Sequence, residues 1–230
     1  MILHLEDPRI KELCSSDPRL GALIARLGAL TISLERDPFE SLVRSIISQQ
    51  ISVKAAATIR ERVRRLAGVF TPQALHALED ETLRGAGLSA SKTAYLRDLS
   101  SKLLSGELDF TAFPEMDNEA VIAALTSVKG IGRWTAEMFL MFVLGRENVI
   151  SFGDAGLQRA ALWLYDLETR KDKKYLQQIA HYWPSYGSYV CLYLWEAINQ
   201  ELVDSGKSFG ELILEVHPDR DNEIREASDE

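Results

Sequence analysis

Residues 125–136 read L-T-S-V-K-G-I-G-R-W-T-A, an apolar helix end followed by Gly130-Ile131-Gly132 and the start of a second helix. Because glycine tolerates positive φ, the two glycines predict a tight backbone turn between two helices. Such a turn leaves several backbone N–H groups bare at the start of the second helix. These groups and the helix dipole favour an anion such as a phosphate. The stretch therefore predicts the DNA backbone as a binding partner.

The composition argues against several classes of protein. The 230 residues are 46% hydrophobic, which is enough for a core in one domain or two intimate subdomains. The two cysteines, Cys14 and Cys191, form no C-x-x-C pair, which argues against a disulfide framework, a zinc site and an iron–sulfur cluster. The amino terminus is too short and acidic for a signal peptide, and no apolar run approaches the roughly 20 residues of a membrane helix. We therefore expect a cytoplasmic, nucleoid-associated protein with no membrane contact.

The charge is unevenly distributed along the chain. The net charge of −8 argues against a generic DNA-coating protein. Residues 217–230 contain six acids and two arginines, and we expect this acidic tail to be flexible. The segment Lys54–Arg65 has five basic residues and one acid. It is either a solvated helix face or a local basic surface on an acidic protein.

Nearly every segment has the apolar spacing of a helix, which predicts an all-α fold without a substantial sheet. In residues 38–48 the apolar side chains recur with amphipathic helical spacing, and Asp37 and Pro38 suit the cap and first position of that helix. Ser52 and Thr71-Pro72 predict two further helix starts. A second G-x-G occurs at Gly85-Ala86-Gly87, which is either an ordinary helix–helix turn or a weak echo of the first.

Three features carry candidate chemistry, and each has an ordinary structural explanation. Asp154 stands just before a predicted helix, where aspartate is a common cap, although a capping carboxylate can also face a cleft. Trp134 follows the glycine turn directly, and a tryptophan face suits a cationic or electron-poor ring. The polar turn Gln49-Gln50-Ile51 is either a surface turn or a group of side chains that fills a gap in a base stack.

Together, these residues resemble the helix-hairpin-helix (HhH-GPD) superfamily of DNA glycosylases, in particular its AlkA-type 3-methyladenine DNA glycosylases. Four blocks carry the match in family order, over roughly residues 20–215. They are F-E-S-L-V-R-S-I-I-S-Q-Q-I-S-V-K-A-A at 39–56, L-T-S-V-K-G-I-G-R-W-T-A at 125–136, F-G-D-A-G-L-Q-R at 152–159 and W-P-S-Y-G-S-Y at 183–189.

The resemblance implies an all-α fold of two helical subdomains with the active cleft between them. The glycosylase domain would span residues 1–216. One subdomain would contain about residues 1–35 and 146–216, and the other about residues 36–145. The acidic tail, residues 217–230, would lie outside the domain. The chain starts too close to the first block for the extra amino-terminal β-domain of the bacterial AlkA enzyme.

The resemblance also implies a set of site residues. Asp154 would be the catalytic carboxylate, and Trp134 and Trp183 would line the base pocket. Gln50, with Gln49 and Ile51 as alternatives, would be the wedge that fills the space left by a flipped nucleotide. The DNA backbone would bind at Lys129, Gly130, Ile131, Gly132 and Arg133. The backbone carbonyls of Thr126, Val128 and Gly130 would hold a monovalent cation, Na⁺ or K⁺.

The reaction type follows from one position of the resemblance. Bifunctional relatives place a catalytic lysine where this chain has Trp134, and without an amine no Schiff base forms. We therefore expect a monomeric, monofunctional glycosylase that needs no cofactor and hydrolytically excises alkylated purines, of the 3-methyladenine and 7-methylguanine type, from duplex DNA. The missing cysteine cluster argues against the endonuclease III and MutY branches. The alternatives are a glycosylase for deaminated or oxidised bases and a non-catalytic DNA-binding protein.

Overall fold

The computed structural model describes residues 1–167, 175–183 and 185–214, which are mostly helical. The acidic tail, residues 217–230, and Pro184 of the fourth block lie outside the described residues. The helices in chain order are α1 (Pro8–Ser16), α2 (Pro18–Leu27), α3 (Pro38–Ser48), α4 (Val53–Ala67), α5 (Pro72–Ala77), α6 (Asp80–Gly85), α7 (Ala90–Ser105), α8 (Asn118–Thr126), α9 (Arg133–Phe142), α10 (Ala155–Leu164), α11 (Tyr175–Ile179), α12 (Gly187–Asn199) and α13 (Phe209–Leu214).

The little β-structure in the described part of the chain is one antiparallel pair, β1 (Ile2–Leu3) with β2 (Leu30–Thr31), in which Ile2 faces Thr31. Short 3₁₀ turns span Phe113–Glu115 and Ala180–Tyr182. The all-α prediction is confirmed. None of the described helices has the length and apolar character that crossing a membrane requires.

Short polar side chains begin the helices at the predicted places. The Asp37 carboxylate accepts the Glu40 N–H at 2.9 Å, and Pro38 occupies the first position of α3. Ser52 caps α4 and Thr71 caps α5 in the same way. A capping side chain satisfies an N–H group that the helix itself leaves without an acceptor, and replacing it by alanine costs about 1 kcal/mol.

The chain folds into two compact units. Unit 1 contains Met1–Ile32 and the described part of Glu147–Glu230, so it is assembled from both ends of the chain. Unit 2 contains Ser33–Arg146.

Unit 2 is organised around α3, which packs against α4, α7 and α9. The predicted apolar stripe of α3 is buried as expected, at Phe39, Leu42, Val43, Ile46 and Ile47. Burying each large aliphatic side chain contributes about 1.5–3 kcal/mol, so this stripe anchors the helix firmly. The turn at the end of α3 is therefore attached to a rigid element of the core.

In unit 1, α12 packs against α10 and α2, and α1 packs against α2. Leu157 and Leu164 of α10 are fully buried, as is Tyr193 of α12. The first turn of α10, which follows Asp154, is thus held by the core of its own unit.

Candidate functional site

The turn between α8 and α9 needs glycine at Gly130. Its φ is +79°, and a Cβ atom there would lie 2.1 Å from Cδ2 of Tyr95, far inside van der Waals contact. Ile131 donates its backbone N–H to the Val128 carbonyl at 3.1 Å, and both side chains are buried. The hairpin is therefore anchored by Val128 and Ile131, and Ile131 presents no side chain to a partner.

Gly132 has a different role from the one expected of the glycine pair. Its φ is −92°, which any residue adopts, and an added Cβ would meet no atom within 4 Å. The turn therefore uses the conformational freedom of glycine at Gly130 and not at Gly132. Gly132 is the N-cap of α9 and has no side chain, so the positive end of that helix is left open to solvent.

Acidic side chains lie next to the predicted DNA-backbone residues. The backbone N–H of Lys129 donates to Oδ2 of Asp98 at 2.9 Å, and its ammonium lies 3.9 Å from Oδ1. Arg133 donates from Nη1 to Oε2 of Glu119 and from Nε to Oε1 of Glu137, each at 2.9 Å. The hydrogen bonds that Arg133 donates to the carboxylates of Glu119 and Glu137 raise the pKa of Arg133. Arg133 is thus already paired, and its ion pair with Glu119 must open before it can bind phosphate.

The wedge turn, Gln49-Gln50-Ile51, lies between α3 and α4 beside the hairpin. Gln49 donates its side-chain amide to the Gly130 carbonyl oxygen at 2.8 Å. Gln50 is exposed and has a φ of +57°, and Ile51 is 37% exposed. In this structure Gln49 braces the turn against the hairpin, whereas Gln50 and Ile51 present exposed surface. The wedge assignment itself stays a prediction.

Trp134 is the second residue of α9, and half of its surface (50%) is exposed. A cavity of about 250 Å³ in unit 2 is lined by charged side chains, Glu35, Arg44 and Arg60 among them, and by Met138 and Phe142 of α9. Because residues four apart lie on the same helix face, Met138 follows Trp134 along one side of α9. A half-exposed indole on this side of α9 is suited to stacking with a planar ring.

Trp183 lies in the core of unit 1, where it is 1% exposed. Its indole Nε1 donates to Oδ2 of Asp17 at 2.9 Å, and the hydroxyl of Tyr165 donates to the same oxygen. Asp17 in turn caps α2 by accepting the Leu20 N–H at 3.0 Å. The ring of Trp183 is thus enclosed by contacts within its own unit, and its assignment to the base pocket stays a prediction.

Asp154 is the N-cap of α10. One carboxylate oxygen, Oδ1, accepts the Leu157 N–H at 2.8 Å, and the Asp154 N–H donates to the Ser151 carbonyl at 3.0 Å. The side chain is half-buried. These bonds fix the orientation of the carboxylate, and the helix dipole favours its negative charge. The capping interpretation is confirmed, and it is compatible with a second role for the same carboxylate.

Sequence reasoning missed three residues of α7. Lys92, Tyr95 and Asp98 are spaced three apart and contact the wedge turn, Gly130 and Lys129 respectively. The available signal was this spacing on a predicted helix, which places all three side chains near one face. In the part of the chain that the structure describes, no group of three or more His, Cys, Asp or Glu residues could hold a metal ion.

Comparison with known proteins identifies the family to which this chain belongs. The family model of the HhH-GPD superfamily base excision DNA repair protein matches residues 43–185. DNA-3-methyladenine glycosylase 1 of Schizosaccharomyces pombe is 32% identical over 70% of this chain and 73% of its own length. The crystal structure of a DNA-3-methyladenine glycosidase from Bacillus halodurans is 41% identical, with a TM-score of 0.86 over 93% of this chain and 99% of that one.

The S. pombe 3-methyladenine DNA glycosylase Mag1, solved in complex with abasic DNA, is 30% identical, with a TM-score of 0.71 over 81% of this chain and 94% of that one. The family match begins at Val43 within α3 and covers the wedge turn, the glycine hairpin and Asp154. The chain therefore belongs to the HhH-GPD superfamily of base excision DNA repair proteins.

Proposed function

We propose that this protein is a monofunctional DNA glycosylase, which releases alkylated purines of the 3-methyladenine and 7-methylguanine type from duplex DNA by hydrolysis. The observation that carries the proposal is the exposed indole of Trp134 directly after a hairpin suited to phosphate. Family membership and relatives named as DNA-3-methyladenine glycosylases support it. A protein that only binds DNA would need the hairpin but not this aromatic face.

The hairpin binds the DNA backbone through the open start of α9 and the exposed ammonium of Lys129. The carbonyls of Thr126, Val128 and Gly130 suit Na⁺ or K⁺, because hard cations prefer oxygen ligands. The Val128 and Gly130 carbonyls each accept one hydrogen bond, and a carbonyl oxygen has two lone pairs, so each of these two could also bind a cation. A bound cation would add positive charge facing a phosphate.

The target nucleotide must leave the base stack before its glycosidic bond can be reached. Extrusion costs a few kcal/mol and is easier for a damaged base pair. Gln50, at the exposed tip of the wedge turn, enters the vacated space. An alkylated purine carries positive charge, so its ring stacks favourably on the indole of Trp134.

Bond cleavage needs little acid catalysis, because a positively charged purine is already a good leaving group. The bond between the base and C1′ breaks, and its electron pair leaves with the base. The sugar develops oxocarbenium character, which the Asp154 carboxylate stabilises electrostatically. Water then bonds to C1′, and its proton passes to Asp154 or to solvent. Because position 134 holds an indole in place of an amine, the protein forms no Schiff base and leaves the strand intact.

The proposal is tested by a base-release assay with purified protein. Duplexes carrying 3-methyladenine, 7-methylguanine, hypoxanthine or 8-oxoguanine are incubated with the protein, and free bases and strand breaks are quantified. We expect release of the methylated purines, with unbroken strands before alkali treatment. Preferred release of hypoxanthine or 8-oxoguanine would show that the main substrates are deaminated or oxidised bases. Tight DNA binding without release of any base would support the non-catalytic alternative.

A further inference from the structure

One face of α7 contacts both the wedge turn and the glycine hairpin, the two segments of unit 2 that the proposed function brings to DNA. Lys92 contacts the wedge turn, Tyr95 packs against Gly130, and Asp98 accepts the N–H of Lys129. Of these three contacts, the one made by Lys92 is directed at the segment that carries Gln50.

The ammonium of Lys92 is hydrogen bonded to the end of α3. Its Nζ donates to the Ile47 carbonyl at 2.8 Å and to the Gln49 carbonyl at 2.7 Å. The last carbonyls of a helix lack intrahelical partners and lie at the negative end of the helix dipole, so a cation there is stabilising. The side chain is half-buried, and burial lowers the pKa of Lys92. A half-buried lysine with two backbone acceptors is a structural clamp on this turn.

The residue that follows the clamped carbonyl has an unfavourable backbone conformation. Gln50 has a φ of +57°, in a region that residues other than glycine adopt only rarely. Such a conformation persists only when its surroundings over-determine it. On the α3 side the surroundings are the Lys92 bond to the Gln49 carbonyl and the Gln49 side-chain bond to Gly130. Together they hold Gln50 at the tip of the turn.

We propose that Lys92 is a positioning residue for base extrusion, which holds the wedge turn in the shape that presents Gln50 to the DNA stack. This inference rests on the proposed function, because it requires that a nucleotide be extruded. Lys92 acts through the turn, and it contributes nothing to the cleavage of the glycosidic bond itself.

The test compares Lys92→Met with Lys102→Met, a matched control on the same helix whose lysine pairs with Glu107. Single-turnover release of 7-methylguanine is measured from a duplex in which the lesion pairs with cytosine and from one in which it faces an abasic analogue. Removing a charge-assisted clamp should slow release from the paired duplex about tenfold. Release of the unpaired lesion, and both rates of Lys102→Met, should stay within about twofold of wild type.

Two further variants separate positioning from a general loss of structure. Lys92→Arg keeps the charge and the donors, and it should recover most of the paired-duplex rate. Gln50→Ala combined with Lys92→Met should be little slower than Gln50→Ala alone, because residues that act through one element are not additive. The proposal is overturned if Lys92→Met slows release equally from paired and unpaired lesions, or slows neither. It is also overturned if the effects of the two substitutions are fully additive in the double variant.

Extrusion is also measured without cleavage, by the fluorescence of 2-aminopurine placed beside the lesion. Wild-type protein should raise the fluorescence as stacking is lost, and Lys92→Met should raise it less or more slowly. If the wild type unstacks DNA but releases no base, the proposed function fails and the role of Lys92 is still tested. The role of Lys92 is refuted if wild type and Lys92→Met raise the 2-aminopurine fluorescence equally, or if neither protein raises it.

Discussion

The side-chain amide nitrogen of Gln49 lies 2.8 Å from the backbone carbonyl oxygen of Gly130. This hydrogen bond joins the turn after α3 to the hairpin between α8 and α9, although the two residues are 81 positions apart. The segment that would enter the base stack and the segment that would hold the phosphate are therefore parts of one supported surface in unit 2. We expect a phosphate bound at the hairpin to fix where Gln50 meets the DNA.

The two glycines of the hairpin should respond differently to substitution. Gly130→Ala combines a φ of +79° with a Cβ atom 2.1 Å from the Tyr95 ring, so it should destabilise the fold by at least about 1–2 kcal/mol. Gly132→Asp should instead stabilise the protein by a few tenths of a kcal/mol, because aspartate is a favoured N-cap. Thermal unfolding midpoints measure both effects.

The same two variants should both weaken DNA binding, for different reasons. Gly130→Ala distorts the hairpin, and Gly132→Asp places a negative charge where a phosphate approaches. Binding isotherms with undamaged and damaged duplexes should show a loss on both for each variant. Unchanged affinity in the more stable Gly132→Asp protein would refute a phosphate site at the start of α9.

Alanine substitutions of Trp134 and Trp183 should have opposite effects, one on base release and the other on the stability of the fold. Trp134→Ala removes a half-exposed ring, so the unfolding midpoint should change little, whereas release of alkylated bases should fall about tenfold to a hundredfold through lost stacking. Trp183→Ala removes a buried ring bonded to Asp17, and it should destabilise the fold by about 3–5 kcal/mol. A stable Trp183→Ala protein with slow base release would instead support a base-pocket role for Trp183.

Removing the acid that pairs with Arg133 should strengthen DNA binding. Glu119→Gln breaks an exposed ion pair that adds little to stability, and it makes the guanidinium available to a phosphate. We expect higher affinity for undamaged duplex and a salt dependence steeper by about one counterion. Glu107→Gln, which frees Lys102 instead, is the control. Unchanged affinity together with an unchanged salt slope in Glu119→Gln would contradict a backbone contact by Arg133.

Borohydride reduction tests the absence of lyase chemistry. A glycosylase that attacks the sugar with an amine forms an imine that borohydride traps as a stable protein–DNA adduct. We expect no adduct with this protein on a duplex whose lesion it excises, while a glycosylase/lyase run in parallel gives one. A trapped adduct would contradict the monofunctional assignment and point to an amine outside position 134.

Local patterns predicted the elements of this fold well. The stripe of α3 and the caps at Asp37, Ser52 and Thr71 depend on residues within a few positions of each other, and the structure has them as predicted. The turn between α8 and α9 also follows from residues that are close in sequence.

The contacts that define the site depend on residues distant in sequence, and these could not be predicted. The ring of Tyr95 excludes a side chain at Gly130, and contacts with Gly130 and Lys92 hold Gln49 in the turn. Trp183 is enclosed because a carboxylate 166 residues away accepts its N–H. Apolar periodicity contains no information about such pairs.

The most direct test of the account is the single-turnover rate of 7-methylguanine release by Asp154→Asn. Asparagine keeps an oxygen for the Leu157 N–H, so the cap of α10 and the unfolding midpoint should be preserved, while the negative charge is lost. Asp37→Asn, the same change at the cap of α3, is the matched control and should retain wild-type release. The account predicts that Asp154→Asn binds damaged DNA normally and releases the base at least about a hundredfold more slowly. Release at the wild-type rate would contradict it and leave Asp154 as a helix cap alone.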